Sequence, residues 1–145
     1  MTTGPEHQHE RSPLADAVER VGDRWTLLLV DALLAGPRRF NDLLTELPGL
    51  APNILSTRLK HLERESVVVS SPYSKRPLRF VYELTASGRD LAGALRLLAQ
   101  WGAGRTEGGE GLRHAACGTQ LEVRWYCPTC ARVVDEDEGD TLRYA

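Results

Sequence analysis

The sequence predicts a mainly α-helical domain carrying one small β-hairpin, followed by a second and much smaller β module. Three observations predict this. Leucine-rich stretches recur at helical spacing as far as Trp101. A single pair of β-branched and aromatic runs brackets the polar stretch SSPYSKRP. Every cysteine lies within HAACGTQLEVRWYCPTC, residues 114–130, beyond a glycine-rich segment.

The elements follow in order. LADAVERV, residues 14–21, sets Leu14, Ala17, Val18 and Val21 at helical spacing and reads as a short amphipathic helix ending at Gly22. Asp23 is placed to cap a second helix, WTLLLVDALL, which is apolar nearly all round and so belongs in a core; Gly36 and Pro37 stop it. Asn41 is expected to cap DLLTEL, with Leu43, Leu44 and Leu47 facing inward before Pro48 and Gly49 force a turn. Pro52 suits the first position of the next helix, where Leu55, Leu59 and Leu62 form a one-sided stripe. Asn53, Ser56, Thr57, Lys60 and Arg64 lie on its other side. Two short helices joined by a tight turn, the second backed by leucines and faced with small polar and basic residues, make a helix-turn-helix.

Residues 67–70 and 78–84 then form strands around a polar tip holding Lys75 and Arg76. The order helix, helix, helix-turn-helix, hairpin describes a winged helix-turn-helix. Thr85 is expected to cap one long helix over residues 86–101, with Leu91, Leu95, Leu98 and Trp101 along one stripe. That is more apolar surface than one small core covers, so this helix is a natural dimer contact.

Composition narrows the function. The chain has 145 residues, a formal charge of -2 and 41% hydrophobic residues, as a globular protein of one domain plus a small appendage would. No apolar run approaches the roughly 18–20 residues of a membrane span, and MTTGPEHQHERS lacks the features of a signal peptide, so a cytoplasmic protein with no membrane contact is expected. The near-neutral total hides an asymmetry. Between Gly36 and Tyr82 lie Arg38, Arg39, Arg58, Lys60, Arg64, Lys75, Arg76 and Arg79, against only Asp42, Glu46, Glu63 and Glu65. A polyanion such as double-stranded DNA is held by cations clustered in this way, whatever the overall isoelectric point. A polar helix face beside two cations is also what solvation alone produces; the element order and the charge asymmetry favour DNA.

The stretches PLADAVERVGDRWTLLLVDALLAGPRRFNDLL, ILSTRLKHLERESVV and RFVYELTASGRDL resemble the HxlR family of bacterial winged helix-turn-helix regulators, related in architecture to MarR repressors. The resemblance covers about residues 13–102 and implies a homodimer that binds a pseudo-palindromic operator and controls nearby transcription. Carried over by position, it places Asn53, Ser56, Thr57 and Lys60 against base edges in the major groove, and Lys75, Arg76 and Arg79 against phosphates or the minor groove. Three departures stand out. Oxidant-sensing members usually carry a cysteine before the proline that opens the first helix, where this chain has Ser12; a hydroxyl cannot do thiolate chemistry. Ala51 stands where the family tends to place the Ser cap of the recognition helix, and Ser66 where it places the terminating Gly.

The remaining motif is the cysteine-rich tail. An odd number of cysteines in a reducing compartment argues against a disulfide framework and towards metal or thiol chemistry. His114 and Cys117 form H-x2-C, Cys127 and Cys130 form C-x2-C, and the spacer alternates as Leu121, Val123 and Trp125 against Glu122, Arg124 and Tyr126, so it reads as strand. Two tight ligand turns at the ends of a strand pair offer four N and S donors for tetrahedral, structural Zn2+. So short a segment buries too little apolar surface to fold unaided, whereas zinc supplies on the order of 10–16 kcal/mol to such modules. A redox switch by thiol oxidation or zinc release, and inert reduced cysteines, remain the alternatives.

The expected organisation is therefore a disordered tail (1–12), a winged helix-turn-helix domain with its dimerisation helix (13–102), a flexible glycine-rich linker (103–112), a zinc-ribbon-like module (113–134) and an acidic tail (135–145). The leading function is a sequence-specific DNA-binding regulator. The rival is a winged-helix and zinc-ribbon interaction module of the transcription machinery that does not read sequence. No triad, phosphate loop or paired-carboxylate site appears, and C-x2-C here lacks a thioredoxin-like βαβ setting, so no enzyme is expected.

Overall fold

The computed structural model describes residues 12–134; the expected tails at 1–11 and 135–145 lie outside the described residues. The chain divides into two compact units, one running to Leu95 and the other starting at Arg96.

In the first unit, helix α1 (Pro13–Val21) begins at Ser12, whose hydroxyl accepts the Ala15 N–H at 3.1 Å. Ser12 is thus an N-cap rather than tail, and its hydroxyl oxygen satisfies one of the orphan donors of the first turn. Of α1, only Val21 is buried; Leu14 and Val18 are 64% and 57% exposed. Helix α2 (Arg24–Leu34) is capped by Asp23 as expected, and buries Thr26, Leu29, Val30 and Leu33. Helix α3 (Phe40–Glu46) starts earlier than its sequence suggests. Arg39, not Asn41, is the N-cap, and the Asp42 carboxylate reaches back to accept the Arg39 N–H at 2.9 Å. Asn41 sits inside the helix, its carbonyl accepting the Thr45 hydroxyl.

Helix α4 (Pro52–Arg64) buries Leu55, Leu59 and Leu62 as its spacing predicts. Each such leucine contributes roughly 1.5–3 kcal/mol by leaving water. The helix ends in a Schellman motif: Ser66 is left-handed at φ 58°, its N–H bonds the Glu63 carbonyl, and the Val67 N–H bonds the Leu62 carbonyl at 2.9 Å.

Strands β2 (Val68–Lys75) and β3 (Leu78–Leu84) form the hairpin. The wing is longer and its tip tighter than expected: strand pairing continues through SSPYSK, with an irregularity between Pro72 and Ser74, leaving only Arg76 and Pro77 as the turn. A strand missed in the sequence, β1 (Arg38–Arg39), pairs antiparallel with β3 and completes a sheet of order β1-β3-β2. The core lies between this sheet and α2, α3 and α4, with Leu29, Val30, Leu43, Leu50, Leu59, Val68 and Leu84 in one cluster. The architecture is a winged helix-turn-helix.

The predicted long terminal helix is two. Helix α5 (Ala86–Asp90) stops at Leu91, and α6 (Ala92–Ala103) follows. The Thr85 hydroxyl accepts the Gly88 N–H and itself donates to the Ser66 carbonyl at 2.6 Å, holding α5 against the end of α4. Gly88 sits so close to the strand that a Cβ there would meet the Val67 carbonyl oxygen at 2.3 Å.

In the second unit, α6 runs into the expected linker, and turns follow: Arg105 N–H bonds the Gly102 carbonyl and Gly109 N–H the Thr106 carbonyl. Strands β4 (Trp125–Cys127) and β5 (Arg132–Val134) pair antiparallel. Residues 121–124 alternate like a strand but do not form one, because a strand needs a neighbour for its N–H and C=O groups. Pairing between 112–113 and 120–121 ends after the Arg113–Gln120 bridge and the Leu121 N–H to Leu112 carbonyl bond. No helix among the described residues is long and apolar enough to cross a membrane.

Candidate nucleic-acid interface

The leucine stripe of α4 fixes which side of the helix faces out. With Leu55, Leu59 and Leu62 buried, Asn53, Thr57 and Lys60 are exposed on the opposite face and Ser56 is half-buried at its edge. The spacing i, i+4, i+7 aligns Asn53, Thr57 and Lys60 as one column. The exposed Thr57 donates its hydroxyl hydrogen to the Asn53 carbonyl at 2.9 Å, so its oxygen remains able to accept. Such a group accepts from an exocyclic amine or touches a thymine methyl.

On the wing, Lys75 and Arg76 are exposed at and beside the turn, and Arg79 is exposed one position into β3. The structure therefore brings together the wing cations Lys75, Arg76 and Arg79, and separately the α4 column.

Ion pairing sorts the cations. Arg38 is bound to Glu46 at 2.6 Å and to the Gly36 and Pro37 carbonyls, Arg20 to Glu65 at 2.6 Å, and Arg58 lies 3.4 Å from Asp23. Lys60, Arg64, Lys75, Arg76 and Arg79 have no acidic partner among the described residues. The first group holds elements together and the second is available to an external anion.

Arg58 is half-buried. Its Nε is enclosed and lies 3.4 Å from the Asp23 carboxylate, an ion pair without a hydrogen bond, while that carboxylate accepts the N–H groups of Trp25 and Thr26 at 3.1 Å and the Thr26 hydroxyl. Burial pushes the Asp23 carboxyl up, but the Thr26 bonds, the Arg58 charge and the Trp25 N–H outweigh it and hold the group below its ordinary range. One carboxylate thereby caps α2 and anchors α4.

Sequence reasoning missed Arg39 as a site residue. Its exposed guanidinium lies 4.4 Å from the centre of the Tyr73 ring, a contact between β1 and β2 across β3. No local signal marks it, because the two residues meet only through sheet pairing.

The tail residues form two separate pairs. His114 Nδ1 is 3.4 Å from the Cys117 sulfur, which is also 3.3 Å from the Thr119 hydroxyl. Bonds from Thr119 and His114 pull the Cys117 thiol down. Cys127 is pulled down by bonds from Cys130, whose own thiol is pushed up in return. The two pairs do not converge: among the described residues no group of three or more His, Cys, Asp or Glu is gathered for a metal ion.

Residues 20–109 match the HxlR-like helix-turn-helix family. The uncharacterized HTH-type transcriptional regulator Rv3095 of Mycobacterium tuberculosis is 38% identical over 132 residues, 88% of this chain and 83% of its own. Among solved structures, the HTH-type transcriptional regulator ytcD superposes with a TM-score of 0.61 at 30% identity, covering 65% of this chain and 96% of its own. The reduced form of the redox regulator HypR gives 0.62 at 26% identity, covering 65% and 93%.

Proposed function

This chain belongs to the HxlR-like helix-turn-helix family, and on that premise we propose that it is a DNA-binding transcriptional regulator acting as a homodimer on an inverted-repeat operator. The observation that carries this reading is the division of labour among the cations. Arg20, Arg38 and Arg58 are ion-paired within the fold, whereas Lys60 and Arg64 on α4 and Lys75, Arg76 and Arg79 on the wing are exposed without acidic partners among the described residues. In this reading Asn53, Thr57 and Lys60 enter the major groove with Ser56 at their edge. Lys75, Arg76 and Arg79 bind phosphate or the minor groove, and Arg39 adds a further phosphate contact. Phosphate contacts set register and supply salt-dependent affinity, while the α4 column supplies sequence choice.

Two-fold pairing is supported by apolar helix faces left open by a single chain. Leu14 and Val18 on α1, and Leu98 and Trp101 on α6, are each at least half exposed. A second copy would cover them. No catalytic function is assigned to the chain.

HypR is a redox regulator, which raises the question of a thiol sensor in this chain. All three cysteines here lie beyond residue 116, and the Ser12 hydroxyl is engaged in capping α1, so the winged-helix unit holds no sensing thiol.

Footprinting on genomic fragments tests the proposal. Protection of an inverted repeat with half-site centres about 10–10.5 base pairs apart, or a multiple of that, is expected. Binding that is salt-sensitive but indifferent to base order would overturn it in favour of an interaction module.

A further inference from the structure

We propose that His114, Cys117, Cys127 and Cys130 are the four ligands of one structural Zn2+ ion, whose binding draws together two pairs that lie apart in the metal-free chain.

The first half-site has the dimensions of a tetrahedral edge. Zinc with Zn–N near 2.0 Å and Zn–S near 2.3 Å sets nitrogen and sulfur about 3.5 Å apart. His114 Nδ1 and Cys117 Sγ are 3.4 Å apart.

In both pairs the residue after the second ligand is left-handed. In the first, Gly118 follows the second ligand at φ 71° and its N–H bonds the His114 carbonyl at 2.8 Å. In the second, Ala131 follows Cys130 at φ 51°, a left-handed conformation that costs a residue with a Cβ roughly 1–2 kcal/mol.

This segment has no buried core. None of residues 104–134 is buried, and Trp125, Tyr126, Val123 and Val133 are all exposed. Two three-residue strands do not sustain themselves without a core. A cross-link supplied by a metal ion does what the absent core cannot.

The family match ends at residue 109, but the alignment with the mycobacterial relative covers 88% of the chain and so runs on into this segment.

Neither pair alone saturates a tetrahedral ion, and the described residues gather no third ligand at either. One ion joining both pairs completes the coordination. Its binding forms three Zn–S bonds and one Zn–N bond, releases the three thiol protons to solvent and leaves the site with one net negative charge. Arg132, paired with Cys127 across β4 and β5, lies beside that charge.

The test uses the full chain. Purified and desalted protein is analysed for metal, then reconstituted with Co2+ and followed by absorption, with tail hydrogen exchange measured before and after chelation. One zinc per chain is expected, with a tetrahedral Co2+ spectrum showing thiolate charge transfer. Chelation should abolish protection of the tail amides, and added Zn2+ should restore it. Cys117→Ser and Cys127→Ser, one from each half-site, should each reduce bound metal to background while the helical signal of the first unit persists. The proposal fails if the protein carries no metal above background and takes up none. It fails equally if either variant retains a full equivalent with an unchanged Co2+ spectrum, or if Cys127 and Cys130 are found as a disulfide in freshly purified protein.

Discussion

At the scale of single residues, two positions show how backbone and charge are arranged around α4. Ser66 ends the helix in the left-handed region at φ 58°, where a side chain is a cost and its absence is not. Ser66→Gly is therefore expected to stabilise the first unit by about 1 kcal/mol, less the extra freedom glycine brings to the unfolded chain. A rise in the urea midpoint with unchanged slope would show it; a fall would mean the serine side chain does more than its position requires. Asp23 acts by charge and by hydrogen bonding together. Its folded carboxyl lies below the ordinary value, so the stabilisation it brings is present above the unfolded pKa of about 3.9 and is lost as pH falls through the lowered folded value. Asp23→Ala should cost about 1–2 kcal/mol at pH 7 through the lost α2 cap. That gap should narrow below about pH 4, and denaturation curves at matched pH would show whether it does.

At the scale of elements, legibility followed how local the cause was. Helix α4 was readable because Leu55, Leu59 and Leu62 repeat within one element and Pro52 marks its start. Asp23 was readable as a cap because its partners, Trp25 and Thr26, are two and three residues away. Strand β1 was not, because nothing in Arg38–Arg39 favours a strand; its pairing with Tyr82 and Val81 does. The break at Leu91 was hidden for a similar reason. Thr85 and Gly88 fix α5 to the carbonyls of Ser66 and Val67, some twenty residues back, so α5 answers to that contact rather than to its own helical periodicity. Within the candidate interface, Asn53, Thr57 and Lys60 lie where the pattern put them, whereas Arg39 needed the folded sheet to meet Tyr73. These contacts can be tested one element at a time. Thr85→Ala removes the α5 cap and the bond to the Ser66 carbonyl, and should cost about 1–2 kcal/mol in a denaturant titration. Arg76→Ala should weaken binding evenly across sequences and lower the slope of log affinity against log salt by about one. Lys60→Ala, by contrast, should also shift base preference, which selection from a randomised half-site would reveal. Equal loss on every sequence would place Lys60 among the phosphate contacts.

At the scale of the whole molecule, the proposed function raises the question of how a small domain with one such helix would be selective. A single α4 column of Asn53, Thr57 and Lys60 offers few base contacts, each worth about 1–3 kcal/mol of discrimination. Presenting the column twice on one duplex turns the second contact into an intramolecular event, and avidity then exceeds either half-site by roughly 10²–10⁴. The apolar face of α6 is where such pairing would act: Trp101 is 61% exposed and Leu98 51%, and no residue of α6 is buried within one chain. Placing a charge there makes burial against a second copy costly while leaving α4, the wing and the first unit's core untouched, since neither residue belongs to that core. Leu98→Asp is therefore expected to yield a monomer by sedimentation. Its melting should fall to that of one uncovered chain, and its affinity for the full inverted repeat should drop towards that of wild type for an isolated half-site. Contact with an isolated half-site should itself be nearly unchanged. A variant that sediments as a dimer, or a monomer that still prefers the full repeat to the half-site by orders of magnitude, would move the pairing surface away from α6 and leave the Leu14 and Val18 face of α1 to account for it.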